Sequence, residues 1–350
     1  MRDYILKRIL LLIPTLFGIM CINFAIIQLS PGGPIELLIS KHSALASNEL
    51  NQTNLSDSFY QGRGGVSDES IEELKKLYGF DKPIVARFFK MIGDYICFDF
   101  GESFYRKSSV VEIIKEKLPV SISLGVFSTL LIYLISIPLG IAKAIRNGSK
   151  FDTISSIVII FAYSLPAFIL AILLIILFCG GNYFDIFPLK GIVSDDFATL
   201  SAFGKIKDYL WHIILPVFCI TIGGFATLGL LVKNSFLDEI NKQYVLVART
   251  KGLSESQVIY RHIFRNAMLL VIASFPSAFM AMFFSGSLMI EIIFSLDGLG
   301  LLGYESIVNK DYPVIFSTLY IFTLLGLIVG IISDLTYALV DRRIDFEGRQ

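Results

Sequence analysis

Charge is what this sequence has least of. Charged residues fill 17% of its 350 positions, and 30 Lys plus Arg balance 30 Asp plus Glu, so the formal net charge is zero. A neutral chain has no electrostatic footprint for nucleic acid, which excludes that partner class. The three His and four Cys (Cys21, Cys97, Cys179, Cys219) stand at no metal-ligand spacing and in no CxxC pair. No metal site is expected, and Cys21 and Cys219 read as small buried hydrophobes. Cys97 and Cys179 fall on one side of the layout below and could pair, although their spacing does not argue for it. The absence of GxxxxGK[ST] removes a nucleotide cradle of the P-loop kind. HExxH and GxSxG are missing as well, which removes zinc proteases and elbow hydrolases.

What is present is apolar. Hydrophobic residues make up 54% of the chain, too many for a soluble division into core and surface. Six stretches, roughly Ile9–Leu29, Val120–Ile141, Ile154–Phe178, Ile213–Val232, Met268–Phe294 and Pro313–Val340, each supply the ~20 residues that cross a bilayer as a helix. The expected fold is an all-α polytopic membrane protein with six transmembrane helices and a small helical periplasmic region. The first stretch has a signal-like basic start (Arg2, Lys7, Arg8). It is too long for a signal h-region, and it runs into Ser30-Pro31-Gly32-Gly33-Pro34, so it is expected to remain as an anchor.

Basic residues set the orientation. Arg2, Lys7 and Arg8, then Lys143, Arg146 and Lys150, then Lys233 to Arg265, then Arg342, Arg343 and Arg349 fall on one face after six crossings. That face is expected to be cytoplasmic, with both termini. The organisation expected is a transmembrane helix over 1–29, a periplasmic segment over 30–119, a five-helix permease core over 120–340 and a tail over 341–350. Within the outer segment, 41–68 reads as a loop. Helical spacing appears at Ile71, Leu74, Leu77 and Tyr78, at Phe88 to Ile96, and at Val110 to Leu118 ahead of Pro119. Tyr209, Trp211 and His212 suit an interfacial aromatic belt. Pro138, Pro166, Pro216 and Pro276 are consistent with bends lining a pathway or with packing kinks.

The stretches hold few ionisable groups, chiefly Glu291 and Asp334. Ion-driven carriers keep such groups near the midplane, so uphill transport would draw its energy from another chain. The loop 234–266 offers a place for one. Phe236, Ile240, Tyr244 and Ala248 recur every four residues, with Leu237 and Val245 beside them, as the stripe of a short helix. Arg249 and Lys251 fall in its last turn and Gly252 at its stop. Ser254 and Gln257 form a capping box for a second helix with Val258, Ile259, Ile263, Arg261, His262 and Arg265. On these residues alone, the unit is either a docking knob or an interfacial helix lying on headgroups.

The run Tyr244 to Gly252 with Ala248-Arg249-Thr250-Lys251-Gly252, followed by Arg265-Asn266-Ala267, resembles the cytoplasmic EAA loop of ABC importer permeases of the dipeptide and oligopeptide family. Leu246 and Val247 replace the first two residues of the broader pattern, and its later Leu-Pro is missing, a departure that fits the peptide branch. The resemblance spans nearly the whole chain through Gln28 to Pro34, Tyr78 to Pro83 and Glu291 to Gly300. The 41–68 loop and the ending Asp345 to Arg349 are most similar to its Yej-type peptide and microcin C branch.

The resemblance implies a non-catalytic permease subunit of the bacterial inner membrane that passes peptides. It implies a homologous second permease, two cytoplasmic ATPase domains and a periplasmic binding protein as partners, with ATP and Mg bound on the ATPases and no cofactor on this chain. Its ATPase-coupling loop would comprise Tyr244, Ala248, Arg249, Lys251, Gly252, Ser254, Gln257, Arg261, His262, Arg265 and Asn266. A secondary carrier or channel for a small solute, and a membrane scaffold, are the rival classes.

Overall fold

A computed structural model describes residues 2–29, 82–106, 108–180, 183–285 and 288–340. The elements are α1 (Arg2–Leu29), α2 (Ile84–Ile96), α3 (Val110–Ile145), α4 (Lys150–Ser164), α5 (Ala167–Phe178), α6 (Ala202–Ile240), α7 (Gln243–Thr250), α8 (Glu255–Gln257), a π-helical stretch (Val258–Ile263), α9 (Phe264–Ser285), α10 (Leu288–Ile293), α11 (Leu299–Val308) and α12 (Tyr312–Val340). Among the described residues, five helices are long and apolar enough to cross a membrane, and the bent pair α4–α5 makes six when counted as one broken span.

The third apolar stretch is therefore not one straight helix. Leu165 is extended (φ −84°, ψ 117°) ahead of Pro166, and the two halves meet at 90°. Proline lacks the N–H that would continue the ladder, and its ring pushes the preceding residue out of helical geometry. Pro138, Pro216 and Pro276 stay inside their helices. So does Pro119: α3 begins at Val110 and runs through it, where a separate short piece was expected. Of the fifth stretch, the described parts are α9 and α10. The helical spacing at 71–78, the loop at 41–68 and the tail at 341–350 lie outside the described residues.

The chain forms two compact units. The larger is built on Lys115–Glu305 with the first eight residues and Leu325 onward. One of its cores gathers Leu124, Ala171, Leu174, Ile213, Cys219, Ile290 and Leu296. The other gathers Ile132, Val232, Phe236, Val245, Ala248, Val258, Ile263 and Val271. Beside the second core, next to Ala144 and Val232, lies an ionic knot. Asp152, in the first turn of α4, pairs with Lys143 of α3 (3.1 Å) and Lys233 of α6 (2.8 Å). Lys143 Nζ also donates to Ser155 and Ser156. All three charged side chains are largely buried, so each needs the others.

Arg8 pairs with Asp334 at 3.0 Å, which brings the start of α1 and the last turns of α12 to one side. Of the expected aromatic belt, Trp211 stays half-exposed, donating Nε1–H to Ile186 O (3.0 Å) and stacking on Phe187. Tyr209 turns inward to donate to Ser123, and His212 is buried with Nδ1 2.8 Å from Asp208 O.

The smaller unit joins Ile9–Ile114 to Ser306–Leu324. Here α2 packs on α1 through Phe88, whose ring meets Phe17 and Phe24 edge-on. The loop after α2 is held by buried Asp311, which accepts from Ser103 Oγ (2.5 Å) and Phe104 N (3.0 Å). Cys97 and Cys179 are free thiols.

Candidate functional site

The loop expected from the stripe begins later than its spacing suggests. Phe236 and Ile240 belong to the end of α6, and the chain breaks at Asn241, whose side-chain amide donates back to Leu237 O (3.1 Å). The short helix α7 then starts at Gln243. Its inward side carries Val245 and Ala248, and the next segment turns Val258, Ile259 and Ile263 inward to meet them. Each buried Val or Ile side chain contributes about 1.5–3 kcal/mol by leaving water, which fixes the loop to one end of its own bundle.

The turn between the two helices is defined by local chemistry. Gly252 has φ +80°, the left-handed region, and its N–H closes on Arg249 O at 2.9 Å. Ser254 and Gln257 form the reciprocal box: Gln257 N–H donates to Ser254 Oγ (3.4 Å), and Ser254 N–H donates to Gln257 Oε1 (3.1 Å). The box satisfies two amides that a helix start leaves open.

A second polar group ties the loop to α6. Tyr244 donates its hydroxyl to Glu239 Oε2 (2.5 Å), Lys242 pairs with the same carboxylate, and Asn266 lies beside the side chains of both Glu239 and Tyr244. Burial, then the carboxylate accepting its proton, pushes the Tyr244 phenol up to about 12. Glu239 was not singled out by sequence, because its partners lie at separations of three, five and 27 residues.

The outward surface differs from the expected set. Tyr244 and Ala248 face inward and support the loop from below. Exposed instead are three apolar side chains, Leu246 (63%), Val247 (50%) and Tyr260 (64%), with Arg249, Lys251, Glu255 and Arg261. Leu246 and Val247 carried a signal in the sequence, being apolar yet off the buried stripe. His262 is half-buried and Arg265 exposed. The arrangement joins no nucleophile to a base. It presents apolar residues on two short helices among charged ones, a composition of the kind that suits another protein.

Residues 136–346 match the family described as "Binding-protein-dependent transport system inner membrane component". The chain is 57% identical to the Inner membrane ABC transporter permease protein YejB of Escherichia coli O157:H7, with both chains covered in full. It is 52% identical to the Peptidoglycan transport system permease protein YejB of Agrobacterium fabrum, again over the whole of both. Identity to the Oligopeptide transport system permease protein AppB of Bacillus subtilis is 32%, over 99% of this chain and 100% of that one. Among solved structures, the MetNI methionine ABC transporter in inward-facing conformations shares the fold at TM-score 0.51 and 15% identity, over 66% of this chain and 98% of that one.

Proposed function

This chain belongs to the family of binding-protein-dependent transport system inner membrane components and is a multi-pass protein of the inner membrane; from that premise we propose that it is the permease subunit of an ATP-driven importer of peptides. The observation that carries the reading is the loop: two short helices clamped to α6 and α9, with Leu246, Val247 and Tyr260 turned outward. A lipid anchor needs neither a left-handed turn nor a capping box, whereas here the two fix the angle at which side chains are presented to a protein partner.

In this reading two cytoplasmic ATPase domains dock on the loop, a homologous second permease completes the pathway, and a periplasmic binding protein delivers the peptide. The chain is non-catalytic, with ATP and Mg held by the ATPases. Both termini and the loop lie in the cytoplasm and 30–119 outside, in keeping with the basic segments and with the Arg8–Asp334 pair. Closure of the ATPases would favour one access state through contacts that differ between the states, the requirement for any ligand-driven shift. Peptide is favoured as cargo by the names of the relatives above, an oligopeptide system and a peptidoglycan system among them.

The test is uptake of defined peptides by a deletion strain carrying this chain, together with ATP hydrolysis by purified components. The expected result is uptake restored by the chain, no ATP hydrolysis by the chain alone, and turnover once the ATPases are added. Peptide uptake without ATPases would favour the carrier reading and overturn this one.

A further inference from the structure

We propose that α2 (Ile84–Ile96) is a membrane-embedded helix, lying within the leaflet into which α1 ends with its outward face against lipid acyl chains. The first ground is depth. Phe88 touches Phe17 and Phe24 with ring centroids 5.8 and 5.2 Å away, and both belong to the span Leu6–Ile26. At 1.5 Å per residue, Phe17 lies about 13 Å and Phe24 about 3 Å inside the end of that span. At the other end of α2, Tyr95 meets Tyr320 at 5.4 Å, and Tyr320 lies about 12 Å inside the span that opens at Tyr312. Both ends of α2 thus touch spanning helices at hydrocarbon level, in a core about 30 Å thick.

The second ground is the division of the helix surface. With 3.6 residues per turn, Val85, Phe89, Ile92 and Ile96 fall within an arc of about 60°. Three of them are exposed: Val85 by 65%, Phe89 by 62% and Ile96 by 65%. Phe88 and Tyr95 line the side that packs on α1 and α12. Arg87, Lys90 and Asp94 occupy the arc opposite the exposed apolar one. In water an apolar face of this kind would be a liability. In a leaflet it continues the lipid-facing surface of α1, where Ile13, Ile22 and Ile26 are likewise exposed. The polar arc then points to the headgroups, where Lys90 suits lipid phosphate. Part of the segment expected outside the membrane, in 30–119, accordingly belongs to the bilayer.

The test uses the full chain, with the subunits it is isolated with, in vesicles of phosphatidylethanolamine and phosphatidylglycerol. Spin labels are placed singly at Val85→Cys, Phe89→Cys, Ile96→Cys and Lys90→Cys in a background whose four native cysteines are alanine. Collision with oxygen is compared with collision with an aqueous nickel chelate. The expected result is an oxygen-to-chelate ratio several-fold higher at 85, 89 and 96 than at 90. Equal ratios at Phe89 and Lys90 would overturn the proposal in favour of a helix standing in water. Shielding of 85, 89 and 96 from both reagents would overturn it in favour of a protein partner. If the alanine background is not produced, Phe89→Trp and Lys90→Trp in otherwise native chains are compared for quenching by brominated lipid. Stronger loss of emission at 89 than at 90 supports the proposal, and equal or weaker loss overturns it.

Discussion

Arg249 and Glu255 hold each other across Gly252, Nε to Oε1 at 2.9 Å and Nη2 to Oε2 at 3.1 Å. Both side chains are exposed, so the pair adds little to stability. Its geometry is two-pronged, however, and it spans the turn that sets the angle between α7 and the helix after it. Arg249→Ala is expected to leave membrane levels and thermal midpoint unchanged while weakening recovery of the ATPases with the purified chain. Unchanged recovery would show that the fork is ornamental to docking.

Gly252 tests the turn more severely. A Cβ there would meet no neighbour within 4 Å, so the cost of a side chain is conformational, about 1–2 kcal/mol for an L-residue in the left-handed region. Gly252→Val is expected to insert normally but to lose ATPase association and peptide uptake. Gly252→Asn, whose residue type visits that region, should retain most of both. Equal behaviour of the two variants would count against the turn as the cause.

The ionic knot has an asymmetric sensitivity. Asp152→Asn leaves Lys143 and Lys233 buried and facing each other, and breaking a buried pair in this way costs about 3–5 kcal/mol. Lys233→Met leaves Lys143 and Asp152 as a balanced pair and should be far milder. Thermal unfolding in detergent decides: a larger loss for Lys233→Met than for Asp152→Asn would refute this account of the knot.

Gly298 is packed against a fully buried carboxyl. A Cβ on it would stand 2.5 Å from Glu291 Cδ and Oε1, and Glu291 Oε2 is already engaged at 2.6 Å by Leu301 N–H. Gly298→Ala is expected to destabilise by about 1–3 kcal/mol, the usual range for overpacking. Adding Glu291→Asp, which withdraws the carboxyl by one methylene, should recover part of the loss in the same unfolding measurement.

Tyr244 predicts an alkaline limit. Its phenol titrates near 12 in the folded chain against an ordinary 10.0, so the folded state favours the protonated form. That contribution is fully present below pH 10 and is lost as pH rises from 10 towards 12. Limited proteolysis of the loop should therefore accelerate across that window in the native chain, and the dependence should be reduced in Tyr244→Phe. An identical profile in the variant would assign the limit to another group.

The parts of this molecule that were legible in the sequence are those whose cause is short-range. The turn at Gly252 and the Ser254–Gln257 box are written within six consecutive residues, and the long apolar helices follow from hydropathy alone. The break at Pro166 was not separable from Pro138, Pro216 and Pro276, because the same imide ring is tolerated or not according to what packs around it. Lys143 and Lys233 were readable only as topological charges, since their shared partner Asp152 lies on a third helix. The stripe through Phe236 and Ile240 misled for a related reason: its spacing continues across the Asn241 break, where the backbone does not.

From Glu255 the backbone runs as a helix without interruption through the π-helical stretch to Ser285, so the loop is the handle of the spanning helix and not an appendage to it. The α9 portion alone is a lever arm of about 33 Å. Rocking the handle by about 10° would sweep the far tip sideways by roughly 6 Å, by the same helical rise, a distance comparable with the width of an extended peptide. On the function proposed above, a small closure on one face of the membrane would thereby be enlarged to the size of a cargo on the other.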